Sequence, residues 1–211
     1  MRGDIIPLTP ARPLAKYRSV RVLGFDPGYG RTGWGVVESG RDASRLVGIA
    51  YGVLETLPGG IMADRMAELY RLATEVIAEF EPDYVIMESL FFTKNPTTAA
   101  GVYQAQGVLL AAVGESGRPI QELGPGTIKQ VIAGSGRAKK AEVTRMVERL
   151  LGFREPIRPD DAADALAGAV AGIYHARSEN LIEAALKRKA DAVASAGRAR
   201  GGHRKPGGSS R

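Results

Sequence analysis

The stretch VRVLGFDPGYGRTGWGVVES, residues 20–39, decides the fold that the sequence predicts. Two β-type runs, VRVLGF (20–25) and GWGVVES (33–39), flank a glycine-rich turn, and a third run, VGIAYGVLET (47–56), follows. Short apolar runs separated by Gly-rich or charged turns are typical of consecutive hairpin strands. We therefore predict that three antiparallel strands open the fold.

The turn itself, GYGRTG at 28–33, matches the dinucleotide-binding pattern G-x-G-x-x-G. That fingerprint requires a helix N-terminus directly afterwards to hold the pyrophosphate. Here WGVV (34–37) continues as a strand instead. We interpret the glycines as shaping a hairpin turn; the alternative is that their backbone amides approach a phosphate.

Downstream of the three strands, the pattern alternates between helices and strands. Apolar residues at helical spacing predict a first helix, which Pro82 ends. A second predicted helix consists mainly of small residues. The predicted elements are a helix at 61–80, a strand at 84–88, a helix at about 97–116, a strand at 119–123, a helix after Gly124-Pro125, a helix at 141–151 and a helix from about 160. This order predicts an α/β fold, a mixed sheet with helices on its faces.

Length and composition exclude several classes of protein. The chain has 211 residues, enough for one domain with a hydrophobic core. It has no cysteine and two histidines, which excludes disulfides and thiolate chemistry and leaves little histidine chemistry. No apolar run reaches the roughly 18 residues of a membrane span, and the N-terminus lacks a signal-peptide core. We expect a cytoplasmic protein that does not contact membranes.

Charge is distributed unevenly along the chain. The net charge is +6, but residues 1–20 carry +3 and residues 187–211 carry +7, which leaves the segment between them at −4. We expect a flexible N-terminal extension (1–19), one folded domain (20–178), and a helical extension with a basic Gly/Arg-rich disordered tail (179–211). The basic ends predict a polyanionic partner.

Four acidic residues are the candidates for chemistry. Asp26 and Glu88 each end a run that is otherwise apolar, and Asp161 and Asp164 are spaced i, i+3 on one helix face. If the two strands are parallel neighbours, both carboxylates emerge at the same sheet edge, the usual place for sites in α/β proteins. The alternative for each residue is a helix cap or an acid solvated at a turn.

Clustered carboxylates require a counter-charge. Two like charges about 4 Å apart repel by about 4 kcal/mol at an effective dielectric constant near 20. Oxygen ligands without Cys or His select Mg²⁺ or Mn²⁺. Two such ions activate water and stabilise the leaving oxygen in phosphodiester hydrolysis.

The motifs FDPGYGRTGWGVV, PDYVIMESLFFTKN and DAADALA and the Lys129–Lys140 stretch, in this order, closely resemble the RuvC family of Holliday-junction resolvases over residues 20–176. The resemblance implies a ribonuclease H-like domain with a five-stranded mixed sheet. It implies that Asp26, Glu88, Asp161 and Asp164 are the metal-binding catalytic acids, with two Mg²⁺ ions per site or Mn²⁺ in their place. It implies a bacterial homodimer that makes paired symmetric nicks in four-way DNA junctions and works with the RuvA–RuvB branch-migration complex. Asp160, which adjoins the matching motif, is then a helix cap.

Two parts of the sequence contain residues that could hold DNA: the aromatic pair that follows Glu88, and one basic segment. Phe91 matches the family's base-stacking phenylalanine, and Phe92 is either its helper or a core residue. Lys129 and Lys140 coincide with family lysines near the active site. The segment 127–149, which also contains Arg137 and Lys139, has a net charge of +4 and could track phosphates or be a solvated helix face. The helix of small residues at 97–114 could cross a two-fold axis or pack on its own sheet.

Two other functions fit parts of the sequence. Asp26 through Thr32 also match the turn D-x-G-x-x-x-T of nucleotide-binding proteins of the actin and sugar-kinase type. Such proteins usually need a second related domain, for which this chain is too short. A junction-binding protein without catalysis is the third reading, and the complete acidic quartet argues against it.

Overall fold

The structure, a computed structural model, describes residues 6–7, 19–39, 45–89 and 96–178. Within these residues, six strands form one sheet and five helices pack against it. The strands are β1 (Ile6–Pro7), β2 (Val20–Asp26), β3 (Arg31–Ser39), β4 (Leu46–Glu55), β5 (Tyr84–Glu88) and β6 (Ile120–Leu123). The helices are α1 (Met62–Phe80), α2 (Pro96–Glu115), α3 (Pro125–Ala133), α4 (Lys140–Leu151) and α5 (Asp160–Ser178).

The sheet is mixed, with strand order β1-β4-β3-β2-β5-β6. The β2–β3 and β3–β4 pairs are antiparallel, whereas β2–β5 and β5–β6 are parallel. The predicted α/β architecture, a mixed sheet that opens with three antiparallel strands, is therefore confirmed. The two-residue β1 pairs with β4 through Ile6 and Tyr51 and adds a short strand beside the five that the sequence predicts. The remainder of 1–18 and all of 179–211 lie outside the described residues.

Successive side chains of β2 point to opposite faces of the sheet and pack in two different hydrophobic clusters. Leu23 and Phe25 pack in a cluster with residues of α1 and α2. Val20 and Val22 pack in a second cluster, on the opposite face, that includes α3, α4 and α5. Because successive strand residues point to opposite faces, Asp26 belongs to the same face as Val22, the face that α5 covers.

Glycines allow α5 to lie directly against this face. A Cβ atom added to Gly24 would overlap the carbonyl oxygen of Ala165, and one added to Gly33 would overlap that of Asp161. Any other residue at these positions would push the helix outward. The alanines of α5 complete the contact, since Ala162, Ala165 and Ala169 are at most 1% exposed. The helix that carries two of the candidate acids is thus held at backbone distance from the strand that carries the first.

The helix α1 covers the other face with one apolar stripe. Leu69, Leu72, Ala73, Val76 and Ile77 are buried, as the helical spacing of the sequence predicts. The helix ends at Glu81, which adopts a left-handed conformation with φ of 43° just before Pro82. In the described part of the chain, no helix combines the length and the apolar character that crossing a membrane requires.

Candidate active site

Asp26 and Glu88 leave the sheet side by side. The parallel register pairs Phe25 of β2 with Met87 of β5, so the next residue of each strand is an acid at the same sheet edge. Glu88 shares a face with Ile86, which packs in the same cluster as α5. The predicted parallel pairing, and with it the convergence of these two carboxylates, is confirmed. Local runs of apolar residues produce the strands, and the register of the β2–β5 pair brings Asp26 and Glu88 to the same sheet edge.

The first turns of α5 bring the other two acids to this edge, but in different ways. Asp164 lines the same cavity as Asp26 and Glu88. Asp161 lies nearer the hairpin turn, where its Oδ2 is 3.3 Å from Nη2 of Arg31. The Nε atom of Arg31 is in turn 3.2 Å from Oε1 of Glu55. The i, i+3 spacing therefore places one acid in the cavity and one at its outer side, in an ion-pair chain that the sequence did not indicate.

The cavity has a volume of about 230 Å³ and combines acidic, basic and apolar walls. Its charged lining consists of Asp26, Glu88, Asp164, Lys129 and Lys140. Residues from α3, α4 and α5 supply the apolar part, namely Pro125, Ile128, Val143 and Ala167. Both lysines that the family resemblance singles out therefore stand beside the carboxylates.

Burial and mutual repulsion make the two strand-end acids hard to ionise. Burial, and then the negative charges of Glu88 and Asp164, raise the pKa of Asp26 from 3.8 to about 8. Burial, and then the charge of Asp164, raise the pKa of Glu88 from 4.5 to about 7, against the opposing effect of Lys129. Two carboxyls perturbed in the same direction within one cavity are typical of a functional site rather than of a structural ion pair.

Lys140 provides positive charge inside this cluster. Its Nζ donates a hydrogen bond to Oδ2 of Asp164 at 2.6 Å and is 3.7 Å from Oδ2 of Asp160. Partial burial lowers the pKa of Lys140, but the hydrogen bond and charge of Asp164 outweigh it and leave that pKa above its ordinary value. Burial raises the pKa of Asp164 despite the opposing contact with the lysine. The ammonium thus compensates one carboxylate and leaves Asp26 and Glu88 without equal compensation.

The chemistry of the donor set fits a hard divalent cation. Carboxyl groups line one cavity, burial and their mutual repulsion suppress the ionisation of Asp26, and neither sulfur nor imidazole lines the cavity. Among the described residues, no three acidic or histidine side chains are grouped closely enough to hold an ion together. Magnesium commonly takes only one or two protein carboxylates and completes its octahedron with water and phosphate oxygens. Asp26 with Glu88 or Asp164 would fit such a set.

The other predicted basic residues lie apart from the cavity. Arg137, in the turn between α3 and α4, lines a separate groove with Arg145 and Arg149. Lys139 precedes α4, and its backbone N–H donates to Oε2 of Glu142 at 2.8 Å. The basic residues of the segment 127–149 therefore form two groups. Lys129 and Lys140 line the acidic cavity, and the arginines line a separate groove.

Two further predictions concern single residues. Asp160 is not the helix cap that the sequence predicts but the first residue of α5, because the carbonyl of Pro159 accepts the first amide hydrogen bonds of the helix. The carboxylate of Asp160 is instead 3.1 Å from Nη1 of Arg158. Phe91 and Phe92, the predicted base-stacking residues, lie outside the described residues. Their roles stay predictions.

The glycine-rich turn is a hairpin, as the sequence indicates. Asp26 pairs with Gly33, and Gly30 adopts a φ of 89°, which favours glycine. Sequence reasoning missed what the other residues of this turn do: Arg31 holds Asp161, and the ring of Tyr29 lies against Arg65. The signal available was an aromatic and a basic residue inside a motif otherwise composed of small residues.

Comparisons with known proteins agree with this geometry. Residues 22–172 match the sequence profile of the family described as crossover junction endodeoxyribonuclease RuvC. A curated relative of that name from Syntrophomonas wolfei is 37% identical over 164 residues, which cover 78% of this chain and 94% of the relative. The Thermus thermophilus RuvC structure superposes with a TM-score of 0.71 at 36% identity, covering 76% of this chain and 97% of that one. Its complex with Holliday junction substrate gives a TM-score of 0.69 at 33% identity, covering 75% and 96%.

Proposed function

The chain belongs to the RuvC family of crossover junction endodeoxyribonucleases, and from that membership we infer that it is an endonuclease that resolves four-way (Holliday) DNA junctions in recombination and repair. The observation that supports this most strongly is the cavity in which Asp26, Glu88 and Asp164 meet beside Lys129 and Lys140. Carboxylates and ammonium groups at one sheet edge are what phosphodiester hydrolysis requires.

We assign the catalytic and metal-binding roles to Asp26, Glu88, Asp161 and Asp164. These carboxylates would hold two divalent ions, Mg²⁺ with Mn²⁺ as substitute, which when bound supply an activated water and charge stabilisation at the phosphate. Asp161, which lies outside the cavity, would exchange its contact with Arg31 for an ion. Asp26 and Glu88 would lose their protons to take part, because the pKa values of both are raised in the metal-free site. Lys140 would exchange its contact with Asp164 for the scissile phosphate or the charge that develops on it.

DNA would run across the cavity and the neighbouring basic surface. Lys129 lies at the acids, and Arg137, with Lys139 near it in sequence, begins the arginine-lined groove that extends towards Arg149. Each phosphate contact displaces condensed counterions, so these residues would supply affinity rather than sequence choice. Phe91 would stack on an unpaired base at the junction centre.

Paired nicks require two active sites, and we propose that α2 forms the contact of a homodimer. Its buried face includes Ala105 and Leu109, which pack in the core beside α1. The opposite face presents an exposed stripe of large and small residues at spacings of four, three and four: Tyr103, Gly107, Leu110 and Gly114. A stripe of this period suits close packing of two helices about a two-fold axis. Work with the RuvA–RuvB complex is a proposal from family membership.

The two rival functions have less support. A nucleotide-binding protein of the actin or sugar-kinase type usually needs a second related domain, whereas the described residues of this chain form one sheet and the chain covers 94% of a curated RuvC relative. A non-catalytic junction binder would not need carboxyls buried at the cost of their ionisation.

The experiment is cleavage of a synthetic four-way junction, with duplex and fork DNA of the same sequences as controls, with and without Mg²⁺. We expect two symmetric nicks in the junction only when the metal is present. Junction binding without cleavage would favour the non-catalytic reading. Equal cleavage of duplex and junction would refute structure-specific resolution.

A further inference from the structure

The aromatic ring of Tyr29 lies exposed in the hairpin turn, three residues after Asp26. It is 51% exposed, although a large apolar surface is normally buried. The turn connects β2, which ends in one acid, to β3, whose first residue pairs with Asp161. An aromatic surface is therefore exposed at the same end of the strands as the carboxylates, on the α1 and α2 side of the sheet.

Two contacts fix this ring from the protein side. The guanidinium carbon of Arg65 lies 4.6 Å from the ring centroid, within the range of a cation–π interaction. On another side the ring lies against α2, where a Cβ atom added to Gly101 would overlap its Cδ2 and Cε2 atoms. The ring can therefore pack against α2 only because residue 101 is a glycine.

Arg65 is itself held rigidly. It is only 4% exposed, and its Nε donates a hydrogen bond to Oγ1 of Thr56 at 3.1 Å. The backbone N–H of Thr56 donates to the carbonyl of Gly30 at 3.0 Å, which joins this arginine to the same turn. A buried guanidinium and a hydrogen-bonded turn together leave Tyr29 little freedom. A contact that is ordered before binding loses less entropy when a ligand arrives.

We propose that Tyr29 contacts the DNA strand beside the bond that is cut, by stacking its exposed surface on a base or deoxyribose. The proposal rests on the function proposed above, because the ligand is the junction strand that enters the acidic cavity. An aromatic ring would add affinity for the DNA strand through stacking rather than through charge. Stacking also tolerates any base, as a structure-specific enzyme requires. Arg65 and Gly101 are positioning residues that hold the ring.

The variants are Tyr29→Ala, Tyr29→Phe, Gly101→Ala and the double variant Tyr29→Ala with Gly101→Ala. Steady-state cleavage of the junction gives KM and kcat. A junction with 2-aminopurine next to the cleavage position reports base stacking by fluorescence in metal-free buffer, where no cutting occurs. Light scattering gives the oligomeric state, and the urea midpoint confirms that each variant is folded.

We expect Tyr29→Ala to raise KM about tenfold with kcat nearly unchanged, and to abolish the fluorescence change that wild-type protein produces. Tyr29→Phe should restore both. Gly101→Ala should reproduce the defect by unseating the ring, but should add nothing in the Tyr29→Ala background.

Three results would overturn the inference. One is an unchanged KM and fluorescence signal in Tyr29→Ala. Another is an equal defect in Tyr29→Phe, which keeps the ring. The third is loss of the homodimer in Tyr29→Ala, which would make Tyr29 a subunit contact. If wild-type protein cleaves the junction and Tyr29→Ala cleaves it equally well, only this inference fails; if wild-type protein does not cleave, the proposed function fails instead.

Discussion

Replacing Asp26 with asparagine should stabilise the metal-free protein at alkaline pH while abolishing its cleavage activity. The carboxyl of Asp26 is buried beside Glu88 and Asp164, and its pKa is raised from 3.8 to about 8. Between these two pH values the folded chain retains a proton that the unfolded chain has lost, so raising the pH favours unfolding. The asparagine variant has no carboxyl at position 26 to ionise and should lack the part of this loss that Asp26 contributes.

The size of the effect follows from the pKa. At about 1.4 kcal/mol per pH unit, the interval of roughly four pH units between the unfolded and folded pKa values of Asp26 lowers the free energy of unfolding by about 5 kcal/mol at pH 8. Reorientation of Lys140 and entry of water should reduce this loss in the wild-type protein. We therefore expect Asp26→Asn to exceed wild type by about 2–4 kcal/mol in the free energy of unfolding at pH 8. With a urea m value of about 2 kcal/mol/M, the midpoint should rise by about 1–2 M.

The assay is urea unfolding of both proteins at pH 5 and pH 8, in chelator and in excess Mg²⁺. Wild-type protein should lose stability between the two pH values in chelator and regain it in Mg²⁺, since the ion binds the folded state. The variant should lose less stability than wild type between the two pH values, because of the two strand-end acids only Glu88, whose pKa is also raised, still titrates between them. Asp160→Asn, the same chemical change at a more exposed neighbour, is the matched control and should show no gain. A variant that is less stable than wild type at pH 8 in chelator would refute the proposed origin of the raised pKa.

Three further predictions test the fold, the lysine and the tail. Gly24→Ala should destabilise the protein by about 3 kcal/mol or more in urea unfolding, because the new methyl group overlaps the carbonyl of Ala165; an unchanged midpoint would contradict the close helix–sheet contact. Lys140→Met should lower the single-turnover cleavage rate about 100-fold and raise the pKa of Asp164 further, whereas a rate within threefold of wild type would exclude a role for Lys140 at the phosphate. Deletion of 187–211 should weaken junction binding and flatten its salt dependence while metal-dependent cleavage persists at low salt; loss of cleavage there would assign the tail to the active enzyme.

Most of the fold could be predicted because its signals are local. Glycine and proline separate the strands from the helices, and apolar spacing distinguishes the two, so the ten longer elements lie within a few residues of their predicted bounds. The positions of Asp26 and Glu88 at strand ends were also readable. That they meet depends on parallel pairing, which the element order favours and the register confirms.

What the sequence could not supply are contacts between residues far apart in the chain. Arg31 reaches Asp161, and Arg65 reaches Tyr29, only after β3, α1 and α5 have packed. Propensity and periodicity carry no information about such side-chain partners. The pairing of Ile6 with β4 is similar, because nothing in a proline-rich extension without apolar period indicates which strand edge it meets.

The central claim is that the carboxylates gathered by the β2–β5 pair and by α5 form the catalytic centre. Single-turnover cleavage of a four-way junction in Mg²⁺ tests it most directly, with Asp26→Asn, Glu88→Gln, Asp161→Asn and Asp164→Asn measured beside Asp160→Asn. We predict that the first four variants bind the junction but lose cleavage by about 1,000-fold or more, while Asp160→Asn cleaves at nearly the wild-type rate. Near-wild-type cleavage by any of the four would contradict the role assigned to that residue, and by Asp26→Asn or Glu88→Gln it would contradict the account as a whole.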